Sequence, residues 1–206
     1  MYRELSNKQY NILIGLILLW GFAVNAIMCT FFPHVFATWN PATVLIGYFV
    51  AAIAGICMSK FSNNPILSFL GYNLTVLPIG VVLSILPQNY SMSTIAETFI
   101  LTTLITLLMI VVSSIKPEVF KSIGGTLFIC LSGTIIIELI MMIAGFGTPR
   151  WWDWLIALLF CGYIGYDWSK AQQKQKTLNN AIDSATDLYL DIINLFVRLL
   201  NSNDDD

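Results

Sequence analysis

Charge is scarce in this chain: of 206 residues only 11% are Asp, Glu, Lys or Arg, against roughly 25% in soluble globular domains. That shortage excludes a water-soluble domain, and a net charge of -2 spread along the chain excludes a basic surface for nucleic acid. Histidine is nearly missing as well. With His34 alone, no HExxH zinc pair exists, and a Ser-His-Asp relay would rest on one loop residue. The four cysteines, Cys29, Cys57, Cys130 and Cys161, stand in apolar runs without CxxC spacing, which removes a disulfide framework and a thiolate metal site. Neither GxxxxGK[ST] nor GxGxxG occurs, so no nucleotide motif is present. The expectation is a protein that is not an enzyme, has no catalytic residues and holds no cofactor.

What is abundant is apolar sequence, 57% of residues with a mean hydropathy of +0.75. Only a lipid bilayer suits such a composition, and at about 20 residues per crossing the chain holds at most seven or eight spans. Seven apolar runs are read at 11–32, 42–58, 65–86, 92–114, 120–145, 151–168 and 181–200. Between them stand Pro33, Pro41, Asn63-Asn64-Pro65, Pro87, Lys116-Pro117, Gly147 with Pro149, and the polar stretch 170–180, all residues that interrupt helices. The start has features of a signal peptide, with Arg3 and Lys8 ahead of an apolar run and Val24-Asn25-Ala26 resembling a cleavage site. The run continues to Phe32, however, longer than a usual signal core, so a retained first span is expected.

Lys and Arg stay in short cytoplasmic loops. With the N-terminus inside, eight of the ten basic residues lie on the cytoplasmic side, and Arg150 and Arg198 alone lie outside. The expected fold is therefore all-α: one polytopic membrane domain over 1–206 with seven transmembrane helices, N-terminus cytoplasmic and C-terminus outside. Trp39, Tyr90, Trp151, Trp152 and Trp154 would anchor the outer interface, and Tyr166 and Trp168 the inner one. Gly47, Ala51 and Gly55 recur every four residues, a pattern that lets helix backbones approach. Asn25 and Asn73 are candidates for bonds between helices.

The informative residues are acids inside the apolar runs, since a carboxylate at the bilayer centre costs about 2.5 to 3.5 kcal/mol even on insertion scales. They are Glu97, Glu138, Asp167, Asp183, Asp187 and Asp191. Asp153, beside three tryptophans at the outer edge, is expected to see water. Lys60 is the one basic residue at a span end expected to reach an inner-side carboxylate. Asp183, Asp187 and Asp191 line one helix face over about 12 Å, and Asn194 and Arg198 continue the stripe. Two readings of that helix stay open: it lies on the membrane surface, or its polar stripe is buried in the bundle. Asp167 ends the sixth run within Gly162-Tyr-Ile-Gly-Tyr-Asp167, on the side where the seventh begins, although helical rise places Asp191 deeper by roughly 5 to 10 Å. Two carboxyls brought together in low dielectric share a proton over some pH range. Their oxygens also suit a weak Ca²⁺ contact. Asp183 and Asp187 would draw cations to the inner mouth, and Glu97 and Glu138 could pack, bond across helices or line a pathway.

The string Leu188-Tyr-Leu-Asp191-Ile-Ile-Asn-Leu-Phe196, with Gly165-Tyr166-Asp167 upstream, resembles the Bax inhibitor-1 family of membrane proteins, and a looser likeness extends through most of the chain. The resemblance implies a bacterial member in the plasma membrane, acting as a pH-sensitive calcium leak channel with Ca²⁺ as the permeant ion. It implies that Asp167 and Asp191 are the sensor and gate, with Lys60, or Ser59 in a competing alignment, holding the pair. An acid found earlier in the second helix of some relatives has no counterpart in 42–58. Two other readings stand beside it: a non-conducting regulator that binds a membrane protease or cell-death factor, and a proton-coupled transporter using Glu97 and Glu138.

Overall fold

The computed structural model describes residues 4–36, 38–85 and 90–203, and every regular element among them is an α-helix. Seven long helices match the seven apolar runs: α1 (Asn7–Phe31), α3 (Pro41–Phe61), α4 (Pro65–Ile85), α5 (Met92–Ile115), α7 (Gly124–Ile143), α8 (Arg150–Ala171) and α9 (Leu178–Ser202). Two short ones, α2 (Pro33–Phe36) and α6 (Pro117–Ser122), lie between them. Arg3, residues 86–89 with Pro87, and the terminal aspartates lie outside the described residues. Helices α1, α4, α5 and α7 are long and apolar enough to cross a membrane, and α3 adds a shorter apolar stretch, Ile46–Phe61. Their outer faces carry exposed side chains such as Leu19, Phe128 and Ile129, an arrangement that only lipid tolerates over so large an area. The chain is an all-helical polytopic membrane protein.

Local chemistry sets the helix ends. Helix α1 starts four residues before the apolar run because Ser6 and Gln9 form a reciprocal capping box, Ser6 N–H to Gln9 Oε1 at 3.0 Å and Gln9 N–H to Ser6 Oγ at 3.2 Å. At the end of α7 Gly145 takes a φ of +74°. There Phe146 N–H reaches Met141 O at 2.9 Å and Gly145 N–H reaches Met142 O at 3.2 Å, a Schellman closure that favours glycine.

The expected single run at 120–145 is divided at Ile123 into α6 and α7. Hydropathy could not reveal the break, because Pro117 starts a helical turn of its own and packing on α8 does the rest. The ring of Phe120 occupies the space that a Cβ on Gly165 would need, and Tyr166 does the same at Gly124.

By their contacts the residues form two compact units, Met1–Tyr90 with Lys174–Tyr189, and Ser91–Gln173 with Leu190–Asp206. In the first, α4 packs on α1 and α3. Backbones come closest at Gly55, which faces Gly71 and Thr75, whereas Gly47 has nothing within 4 Å; the small-residue pattern is used at one end only. Tyr10, Tyr72 and Tyr189 are fully buried, and the hydroxyl of Tyr72 donates to Ile17 O at 2.8 Å. In the second, α8 is the shared partner of α5, α6 and α7, and Trp168 Nε1 donates to Ser114 Oγ at 2.8 Å.

Helix α9 decides between the two readings left open for it. Asp183 and Asp191 are buried together with Ala185, Leu188, Tyr189, Leu195 and Leu199. A surface-lying helix would keep its carboxylates in water, so the polar stripe is an interior one.

Candidate functional site

In the first unit the polar stripe of α9 meets the end of α3. Ser59 Oγ donates to Asp183 Oδ1 at 2.8 Å, and Lys60 Nζ lies 2.5 Å from Asp187. Consecutive residues leave a helix about 100° apart, so Ser59 and Lys60 reach α9 one turn from each other. Ser59 and Lys60, the two candidates of the sequence for holding Asp167 and Asp191, rest on Asp183 and Asp187. Lys60, expected on the pair Asp167 and Asp191, rests on Asp187. It is not the only cation to reach these carboxylates either: Lys174 Nζ is 4.0 Å from Asp187, and Lys170 Nζ is 3.9 Å from Asp167. Both come within reach because α8 runs on to Ala171 and the short connection at 172–177 leads into α9.

Further bonds hold α9 in this unit. Tyr10 Oη is 3.1 Å from both Asn180 O and Ser184 Oγ, Ser68 Oγ donates to Asn179 Oδ1 at 2.7 Å, and Asn25 Nδ2 donates to Tyr189 Oη at 2.5 Å. Asn73 Oδ1 accepts from Trp20 Nε1 at 2.9 Å, so both asparagines bond between helices as expected. Leu5 N–H reaches Lys176 O at 2.7 Å, and the Lys176 ammonium sits 4.6 Å from the Tyr10 ring centroid. Removal from water pushes the Lys176 pKa below the usual lysine value.

The second unit contains the aspartate pair. Asp191 is buried, and Asp167 is nearly so with 12% of its side chain exposed. Tyr163 stands one turn before Asp167 on the same face of α8. By helical rise Asp167 lies about 6 Å and Tyr163 about 12 Å from the end of α8, while Asp191 lies about 20 Å from the start of α9. Because α8 and α9 run in opposite directions, and Cα–Cβ bonds tilt toward each helix's own N-terminus, the side chains of Asp167 and Asp191 also lean toward each other's level. Among the described residues no three of His, Cys, Asp and Glu gather as a metal cage.

A second charged group lies at the other end of α8. Arg198 Nη1 is 2.6 Å from Glu138 Oε1 and 3.0 Å from Asp153 Oδ1. Arg198 Nη2 donates to Glu138 Oε2 at 2.9 Å, and Trp152 Nε1 donates to Glu138 Oε1 at 3.2 Å. Asp153, expected in water, is 7% exposed, because this guanidinium covers it. Of the remaining acids, Glu97 is exposed in the second turn of α5.

The model of the family described as "Inhibitor of apoptosis-promoting Bax1" matches residues 3–202. The chain belongs to the Bax inhibitor-1 family. It is 28% identical over 189 residues to Bax inhibitor 1 of Schizosaccharomyces pombe, covering 82% of this chain and 66% of that protein. To Protein LIFEGUARD 3 of Arabidopsis thaliana it is 39% identical over 83 residues, 39% of this chain and 33% of the relative. To Protein LIFEGUARD 4 of the same plant the identity is 36% over 111 residues, 52% and 44% respectively. The chain thus spans no more than about two thirds of these relatives.

Within this Bax inhibitor-1 family member the sequence reading missed Tyr163 and Lys174, and it placed Arg198 on the polar stripe without its partners. Tyr163 could have been found from its four-residue spacing to Asp167, and Arg198 from its seven-residue spacing to Asp191. No local signal marks Lys174 as a partner of Asp187 or Asn25 as a partner of Tyr189, since both contacts join residues distant in the chain.

Proposed function

We propose that this Bax inhibitor-1 protein is a pH-sensitive calcium leak channel, not an enzyme, in a bacterial plasma membrane. All seven long helices cross the bilayer, with the N-terminus cytoplasmic and the C-terminus outside. The observation that carries the reading is the burial of two carboxyls in the second unit, Asp191 on α9 and, nearly so, Asp167 on α8. Two carboxyls in a poorly solvated place cannot both ionise cheaply, so a proton shared between them holds α8 to the second half of α9. Loss or gain of that proton changes the contact and with it the path along α9. Carboxylate oxygens are suitable contacts for Ca²⁺, which takes oxygen ligands. In the first unit Lys60 and Lys174 pair with Asp187, and Ser59 bonds to Asp183.

The test is Ca²⁺ flux into proteoliposomes across about pH 5 to 8. Wild type is compared with Asp167→Asn and Asp191→Asn. A pH-dependent flux that either substitution flattens is the expected outcome. No flux from wild type at any of these pH values refutes the channel.

A second reading is a non-conducting membrane regulator that binds a membrane protease or cell-death factor, and the names of the family and of the fission-yeast relative, which speak of inhibiting apoptosis-promoting Bax, favour the cell-death factor. Under it, capture of the partner survives Asp191→Asn. With Glu138 bound to Arg198 and Glu97 exposed, no observation favours proton-coupled transport.

A further inference from the structure

We infer that Arg198, gripped by Glu138 and Asp153, is a positioning residue that sets the register of the second half of α9 and thereby keeps Asp191 buried in the second unit. The guanidinium joins three helices of the second unit. It forms a two-point fork on Glu138 of α7, with Nη1 to Oε1 at 2.6 Å and Nη2 to Oε2 at 2.9 Å, and it reaches Asp153 of α8 at 3.0 Å. Trp152, itself buried, fixes the Glu138 carboxylate from the other side. A planar fork on a carboxylate has one good geometry, unlike the single point of a lysine ammonium. Side-chain exposure of 22% for Arg198 and 10% for Asp153 leaves little water to take over if the fork is broken.

The spacing connects this clamp to the gate. Asp191 and Arg198 are seven residues apart, on one face of α9 and separated by about 11 Å of rise. On α8, Asp153 and Asp167 are fourteen residues apart, which returns to within about 40° of the same face. The fork ties α9 to α8 at Arg198 on Asp153, and two turns back on that face of α9 stands the buried Asp191. Slipping α9 by one residue would turn Asp191 through about 100°, and the fork on Glu138 and Asp153 opposes that slip. This is a claim about where Asp191 stands. It rests on the leak-channel reading only for what Asp191 does there.

The experiment uses the full chain in phospholipid vesicles. Carboxyl groups are modified with a water-soluble carbodiimide and a nucleophile, and the extent at Asp191 and at Asp183 is read by mass spectrometry, with Ca²⁺ flux measured on the same vesicles. Arg198→Gln is expected to raise modification of Asp191 several-fold and leave Asp183, in the other unit, protected. Exchanging the charges, Arg198→Glu with Glu138→Arg, is expected to restore most of the protection. Asp191 that stays protected in Arg198→Gln overturns the inference. So does equal exposure of Asp183 and Asp191, which would make the clamp a general support of the bundle. As a milder variant, Glu138→Gln keeps Asp153 on Arg198 and should give an intermediate Asp191 signal. If wild type passes no Ca²⁺ while the modification pattern is as expected, the channel reading fails and the positioning role stands.

Discussion

The bond from Asn25 to Tyr189 offers a quantitative test of how α9 is held in the first unit. Asn25 is 4% exposed and Tyr189 fully buried, and the Asn25 Oδ1 atom has no hydrogen-bond partner. Tyr189→Phe removes the acceptor of Nδ2 and leaves the whole amide unsatisfied. It preserves the ring contacts with Phe22 and Tyr72, each at 5.6 Å between centroids. Stranding a buried polar group costs about 1 to 3 kcal/mol in soluble proteins. In a membrane bundle the unfolded chain finds alternative partners, and measured couplings average about 0.6 kcal/mol with a maximum near 1.7. The expected loss for Tyr189→Phe is therefore about 1 to 2 kcal/mol. Asn25→Leu, which strands the Tyr189 hydroxyl instead, should cost a similar amount. The double variant strands neither group, so its loss should fall short of the sum by about 1 kcal/mol. Reversible unfolding in mild detergent, titrated with a denaturing detergent and followed by circular dichroism, gives all four corners of the cycle. Losses that add to within about 0.3 kcal/mol would refute the reasoning, because the two side chains would then contribute independently.

Other consequences follow from the packing and the charges. Gly165→Leu drives a side chain into the Phe120 ring, and Gly133→Ala places a methyl where nothing lies within 4 Å. In thermal melts the first should lose about 1 to 3 kcal/mol, and the second should be neutral or gain up to about 1 kcal/mol; equal effects would contradict the α6–α8 contact. Lys176, with its folded-state pKa lowered by loss of water, binds fewer protons folded than unfolded. Its penalty therefore disappears as pH rises above the unfolded lysine value and returns as pH falls through the folded one, so stability climbs with pH in that window. Melts between about pH 8 and 11 should show the climb in wild type and a flatter profile in Lys176→Gln. An identical slope in both would remove Lys176 as its source.

How much could be read from the chain depended on the range of each interaction. The seven apolar runs survive as seven long helices because each is a local property of twenty or so residues. The division at Ile123 does not show, since what decides it is Phe120 and Tyr166 meeting glycines on facing helices. The same contrast holds at the site. Asp167 and Asp191 stand out because an acid in an apolar run is costly wherever the fold puts it, and the cost alone makes it worth explaining. Partner choice is another matter. Lys60 and Ser59 were rivals for one role in a linear alignment, yet the 100° between successive helical residues gives each its own aspartate on α9. Arg198 was readable as the end of a polar stripe but not as a clamp, because Glu138 is 60 residues and Asp153 45 residues away. Its assignment to the exterior by charge counting describes one end of the helix only. What the guanidinium does is set by two carboxylates that composition had treated separately, one as a possible pathway acid and the other as a solvated edge residue. A buried acid in such a protein is best interpreted only after every cation within side-chain reach has been placed, since the cation decides whether the acid is free to exchange a proton or is committed to holding a helix.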